Sequence, residues 1–420
     1  MDRPGWIRCL RMPVYGELTT MQILLLSPYP PYPPRSGGAL RIFHLLRGLA
    51  ARHQVTLLSF APDRAAAAAL APLRQRCTVI TVPGPPARSL TRRALTTLGS
   101  PVPDMGLRNA TPAYATALSR LLASERYDVV QAESIEMAGY LMQARGLGPL
   151  LVLDQFNAEY VLQRRAALTD LRRGALLGGL YSLVQWRKLA RYERGALRAF
   201  DRLLVVSEAD RAALARLDRR RATRLHVVPN GVDPAQFHRG AVVGDLGPAT
   251  MVFTGTLDFR PNIDALRWFV SRVLPLIRLQ RPDARLLIVG RAAGPAVRAL
   301  AAGETVELVG EVPDVRPYID GAAVYVVPLR IGGGSRLKLL EALAMEAPVV
   351  STPMGAEGVE GLRDGEHLLI AEQATAFAAA VLRLIADPEL GARLGAAGRA
   401  HVVAHYDWGS IIPRLEAAYR

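Results

Sequence analysis

The chain has 420 residues, 50% of them apolar, and 52 Arg and Lys against 37 Asp and Glu give a net charge of +15. That length is too great for one ordinary domain and the apolar share supplies large cores, which excludes disordered and fibrous classes. Two cysteines, Cys9 and Cys77, make neither a disulfide framework nor a metal set and fit a reducing compartment.

The charge is uneven. Residues 1–230 carry 33 cations and 16 acids, a balance of +17, whereas residues 231–420 carry 19 and 21, a balance of −2. A basic half implies an anionic partner. Arginine-rich coding would explain the scarcity of lysine but not the asymmetry.

In chain order, residues 1–20 read as an N-terminal extension, because "MQILLLSPYP" from Met21 opens as a strand. No secretory segment is expected, and no apolar run is long enough to span a bilayer. Strand candidates follow at 22–28, 54–60, 77–82, 128–133, 150–156, 202–208 and 225–231. Amphipathic stretches at 38–52, 112–125 and 158–200 separate them. "VVPNGVDPAQF" then marks a turn and a linker through Asn-Gly and Asp-Pro. A second set lies at 250–255, 285–290, 306–310, 323–329, 348–353 and 367–371. Near-continuous apolar strands alternating with helices predict an α/β protein of two doubly wound, Rossmann-like domains, at 21–235 and 248–405. A last helix, 406–420, can cross back to the first. Ligands bind such sheets at the carboxyl ends of strands, so the site is expected in the cleft between the domains.

The stretch "PLRIGGGSRLKLLEALA" (328–344) concentrates the chemistry. Gly332, Gly333 and Gly334 let backbone approach a ligand, Ser335 suits an N-cap, and a helix is expected over 336–345. Arg336 and Lys338 oppose the dipole of that helix unless an anion sits at its start. The pattern predicts a diphosphate bound by Gly334, Ser335, Arg336 and Lys338. Glu341, one turn on, can accept the hydroxyls of a ribose; the alternative is a Lys338–Glu341 surface pair beside a glycine turn. After the first strand, Gly37 and Gly38 open a second helix, as phosphate contacts or as a plain cap. Glu133, Asp154 and Asn157 end strands of the first domain, where Glu133 or Asp154 is expected to touch the acceptor or the transferred sugar; the alternative is helix capping by Asp154 and Asn157. Asn230 reads as a turn residue and His44 as structural.

Taken together, the Gly37-Gly38 loop, "VVPNGVD", "PNIDALRWF", "LLIVG" and "EALAMEAPVVSTPMGAEGV" resemble the family 4 (GT4) glycosyltransferases of the GT-B fold. "GGGSRLK" with "LDQFNAEYVLQRR" resembles the branch that assembles bacterial exopolysaccharides. The resemblance implies retaining sugar transfer from a UDP- or GDP-sugar to a lipid-linked or polysaccharide acceptor. It implies no metal and no cofactor, with cations and helix dipoles neutralising the diphosphate. Glu341 matches the second glutamate of the family's E-x7-E motif, but Gly333 stands where the first would be. Thr256 and Pro261 replace the family's usual Arg and Lys, so Arg336 and Lys338 are expected to take over, with Arg260 a further candidate.

Residues 172–198 hold an uncharged core, Gly174 to Trp186, between basic pairs, which suits either an interfacial segment or a buried helix. With the basic half, this points to an anionic membrane surface as partner and to a cytoplasmic protein peripheral on the inner face of the bacterial plasma membrane. Nucleic acid is not expected, since no binding motif is present. A nucleotide-sugar epimerase of the same fold and a non-catalytic binding module remain alternatives. An NAD-dependent oxidoreductase lacks its glycine fingerprint.

Overall fold

The computed structural model describes residues 20–172, 174–240, 245–301, 303–332 and 336–420. Almost the whole N-terminal extension, and Gly333 to Ser335, lie outside them. Among the described residues the strands gather into two all-parallel sheets. The first holds β1 (Gln22–Ser27), β2 (Gln54–Ala61), β3 (Thr78–Pro83), β4 (Val129–Glu133), β5 (Leu150–Gln155), β6 (Arg202–Val205) and β7 (Leu225–Val227), in the order β3-β2-β1-β4-β5-β6-β7. The second holds β8 (Thr250–Thr254), β9 (Arg285–Val289), β10 (Val306–Gly310), β11 (Val324–Val327), β12 (Val349–Ser351) and β13 (Leu369–Ile370), in the order β10-β9-β8-β11-β12-β13.

Each sheet is buried on both faces, which is why its strands read as apolar runs without polar alternation. In the first, Leu24, Val130, Leu153 and Leu203 enter one core layer. Ile23, Leu25, Val129, Val152 and Leu204 enter the other. The strand order reverses between β1 and β4 and again between β8 and β11. A doubly wound sheet opens a crevice at such switch points. The loops after these four strands therefore build the cleft.

Two helices frame it from the first domain, α1 (Gly37–Leu49) and α3 (Glu159–Arg172), and α2 (Leu90–Gly99) lies between them in the chain. The stretch 158–200, expected as one amphipathic run, is a hairpin of α3 and α4 (Leu176–Ala199). Gly174, at φ +75°, lets the chain turn, and the Ala175 amide donates to the Asp170 carbonyl at 2.9 Å, closing α3.

The second domain contributes α5 (Arg260–Trp268) and α6 (Leu337–Ala344) to the cleft, and α7 (Pro388–Tyr406) leads back out of it. The last helix, α8 (Trp408–Ala418), lies on the first sheet. Its Trp408, Ile411, Ile412 and Leu415 complete the layer of Ile23 and Leu25. Gly48 makes room for it, since a Cβ there would stand 2.3 Å from the Ile412 side chain. Trp408 stacks on His44 at 4.8 Å between ring centres, which accounts for His44 structurally. Two strands of chain thus cross between the domains, and they are tied together. The Val232 amide donates to the Tyr406 carbonyl at 2.8 Å.

Candidate active site

The cleft begins where two helix N-termini meet. α1 follows β1, with Ser36 as its N-cap accepting from the Ala39 amide at 3.3 Å. α6 follows β11. Gly37, the first residue of α1, faces the first residue of α6, so that a Cβ on Gly37 would sit 3.1 Å from Leu337 Cδ1. Neither helix has an acidic residue in its first turn. Two positive helix ends converging without a carboxylate are unfavourable until an anion lies between them. Gly38 packs under Tyr29, whose hydroxyl would be 1.9 Å from a Cβ there.

Lys338 stands one residue into α6. Its ammonium donates to Asn262 Oδ1 at 2.9 Å and lies 4.0 Å from the centre of the Phe253 ring. Gly255, at the end of β8, leaves it space: a Cβ would approach the ammonium to 2.7 Å. Burial, reinforced by the charge of Arg336, lowers the Lys338 pKa to about 7. Glu341 is on the same side of α6, and burial raises its pKa to about 7, opposed by Lys338. An anion beside Lys338 would restore its charge.

The helix starts one residue later than the sequence suggested. Arg336 occupies the N-cap position with no side-chain cap bond, and Gly334 and Ser335 lie outside the described residues. Arg336 is buried rather than turned into the open cleft. Its guanidinium donates to the Met354 carbonyl at 3.1 and 3.3 Å and lies 4.0 Å from Glu357. Burial lowers its pKa to about 10.

Arg260, at the start of α5, is held by Asp170 of α3 through both guanidinium nitrogens, one at 2.8 Å. This ion pair makes it a strut between the domains. Arg165, also on α3, does the same from the other side. It donates to the Gly332 carbonyl and to both Glu357 oxygens, at 3.2 and 3.3 Å. The sequence reading missed Arg165 and Asn262, because each acts through a partner far away in the chain.

The two carboxylates singled out in the first domain are side by side, with Glu133 opposite Asp154 in the β4–β5 register. Both are completely buried. Asp154 does not face the cleft as a free acid. Arg41 of α1 grips both its oxygens, at 2.7 and 2.8 Å, and reaches on to the Pro229 carbonyl at 3.2 Å and Asn230 Oδ1 at 3.0 Å. Asp154 therefore positions Arg41 beneath the inter-domain crossing. Glu133 accepts from Gln131 at 2.7 Å, and Gln131 accepts from the Tyr419 hydroxyl at 2.7 Å. Burial and the neighbouring Asp154 push the Glu133 pKa well above the usual carboxylate range.

Further acids follow on the next loop and helix. Ser134, at φ +76°, turns the chain after β4 and brings Glu136 to the wall of a cavity of about 390 Å³. Gly106, Pro112, Gly139 and Tyr140 are among its other lining residues. Arg108 and Asn109 hold Glu136 at 3.0 and 2.7 Å. Glu159, at the start of α3, is raised to about 7 by burial. Among the described residues no cluster of His, Cys, Asp and Glu could hold a metal ion.

Two parallel doubly wound sheets facing across a cleft with cationic helix ends define the GT-B architecture. A model of Glycosyltransferase Family 4 matches residues 35–236, and one of Glycosyl transferases group 1 matches residues 248–387. The chain belongs to the glycosyltransferases of the GT-B fold. It is 31% identical over 142 residues to an uncharacterized 44.6 kDa protein in the cps region of Klebsiella pneumoniae, a match spanning 32% of this chain and 36% of that relative. Its fold is similar to that of sucrose-phosphate synthase from Thermosynechococcus elongatus, with a TM-score of 0.73 at 21% identity, covering 95% of this chain and 98% of the other. It is also similar to Anabaena HepE solved with UDP and glucose, with a TM-score of 0.65 at 15% identity over 94% of this chain and 98% of the other.

Proposed function

We propose that the protein transfers a sugar from a UDP- or GDP-sugar to a lipid-linked or polysaccharide acceptor in bacterial exopolysaccharide synthesis. The observation that carries this reading is the meeting of α1 and α6 beside Lys338. The diphosphate rests between the two helix ends, where Gly37 and Gly38 on one side and Lys338 on the other receive it. Negative charge grows on the diphosphate as the glycosidic bond breaks. Fixed dipoles and a recharged lysine stabilise that change more than they stabilise the ground state. Glu341 takes the ribose hydroxyls, and rearrangement of the Arg260–Asp170 strut frees a further cation. The acceptor enters over the first domain at the cavity beside Glu136. Transfer proceeds with retention and without metal, at the inner face of the plasma membrane. The HepE complex with UDP and glucose supports a nucleotide-sugar donor for this architecture.

The test is calorimetric titration with UDP, GDP, ADP and NAD⁺, with chelator and then with Mg²⁺. Tight, metal-independent binding of UDP or GDP is expected, and nucleotide release from the matching sugar donor should require an acceptor. Binding of NAD⁺ alone would overturn the reading. Epimerised donor without acceptor would turn it into an isomerase.

A further inference from the structure

Helix α2 is amphipathic the wrong way round. Leu90, Ala94 and Leu98 form one stripe, with Leu95 beside it, and all four are exposed, the leucines at 79, 86 and 72% in that order. Its polar side faces the protein. Thr96 and Thr97 present their carbonyls to the Lys188 ammonium at 3.1 and 2.5 Å, and Gln185 donates to the Thr97 hydroxyl at 3.2 Å. Lys188 and Gln185 belong to α4 and are buried. An ordinary surface helix turns its apolar stripe to the core. Here buried polar groups of α4 hold the stripe outward.

α4 repeats the arrangement at its own start. Leu176, Leu177 and Leu180 are 69, 87 and 59% exposed, while Lys188 and Gln185 are spent on α2. Arg93 of α2 joins the two helices by donating to the Tyr181 hydroxyl at 3.2 Å. The rim is cationic. Arg92, Arg172 and Arg187 are exposed, and Arg187 and Arg164 flank the Trp186 ring at 5.2 and 5.8 Å. The two carboxylates on these elements' borders are already engaged: Asp104 with Arg88 at 2.6 Å, and Asp170 with Arg260.

We infer that the outward leucines of α2 and of the α4 start form one docking surface for an anionic lipid bilayer. The leucines enter the boundary of the acyl chains while the arginines meet headgroup phosphates. No helix among the described residues is long and apolar enough to cross a membrane, so the contact is interfacial. A second copy of the chain fits poorly, because it would bring two arginine rims face to face. A nucleic acid would leave the leucines uncovered. The inference deepens the function proposed above and names the partner surface. Vesicle binding needs neither donor nor acceptor, so the two ideas fail separately.

The experiment is flotation of the full chain with vesicles of phosphatidylcholine, with and without phosphatidylglycerol. Binding to the anionic vesicles alone, weakened by salt, is expected. L90S/L98S and L177S/L180S should each weaken it by about tenfold or more, with unchanged melting temperature and unchanged UDP affinity. Equal binding by these variants, or no binding of the wild type to anionic vesicles, would overturn the inference. So would a concentration-dependent dimer that L177S/L180S dissolves, since that assigns the surface to a second copy.

Discussion

Lys338 is the sharpest place to perturb the donor site, because its charge is conditional. With a pKa of about 7, it is roughly nine-tenths neutral at pH 8. A diphosphate between α1 and α6 binds the charged form, so binding at pH 8 should take up about 0.9 proton. Recharging costs about 1.4 kcal/mol there, and log K should fall with a slope approaching −1 above pH 7. Glu341, also near 7, is mostly ionised at pH 8 and releases about a tenth of a proton in the opposite sense. Titration calorimetry with UDP in buffers of different ionisation enthalpy counts these protons directly. Lys338→Met should abolish the uptake and lose about 1–3 kcal/mol of affinity at pH 7, the range for a charge-assisted hydrogen bond. Lys338→Arg should also abolish the uptake, since arginine does not titrate in this range. No proton uptake by the wild type at pH 8, or unchanged affinity in Lys338→Met with an intact fold, would refute the reasoning.

Glu341→Gln should weaken nucleoside diphosphate binding by about 1–3 kcal/mol. The folded carboxyl has a raised pKa, so its stabilising share is present below the unfolded value and is lost as pH rises to about 7. The glutamine variant should therefore melt higher than the wild type at pH 8, as scanning calorimetry would read. Asp154→Ala leaves Arg41 buried without its carboxylate and should cost about 3–5 kcal/mol in urea unfolding. Asp154→Asn should be milder, and retention of nucleotide binding in it would support positioning over direct contact. Gly255→Ala puts a Cβ 2.7 Å from the Lys338 ammonium at φ +155°. Nucleotide affinity and melting temperature, measured side by side, should both fall, because alanine is strained at that φ.

The strands were legible because both faces of each sheet are covered, and an apolar run without alternation says just that. The helix that Gly37 opens was legible for a similar reason, since local sequence encodes local backbone, and α6 was legible to within one residue of its start. What stayed hidden was direction and distance. The helix at 90–99 was not among the expected stretches, and nothing in its sequence says that Leu90 and Leu98 point away from the protein, since that is decided by Lys188 and Gln185 in another element. The same holds for Asp154, whose partner Arg41 is 113 positions away. Arg336 read as a diphosphate ligand because its charge was visible, and the Met354 carbonyl that it also holds, 18 positions on, was not.

The placement of α8 has a consequence for synthesis. The sheet of the first domain is finished at Val227, but the layer that covers Ile23 and Leu25 is closed by Trp408 and Ile412. About 180 residues must therefore leave the ribosome in between, which takes roughly 10–35 s at common elongation rates. During that interval one apolar face of the nascent first domain lacks its cover and is open to chaperones. Its final folding step waits for the second domain to be made.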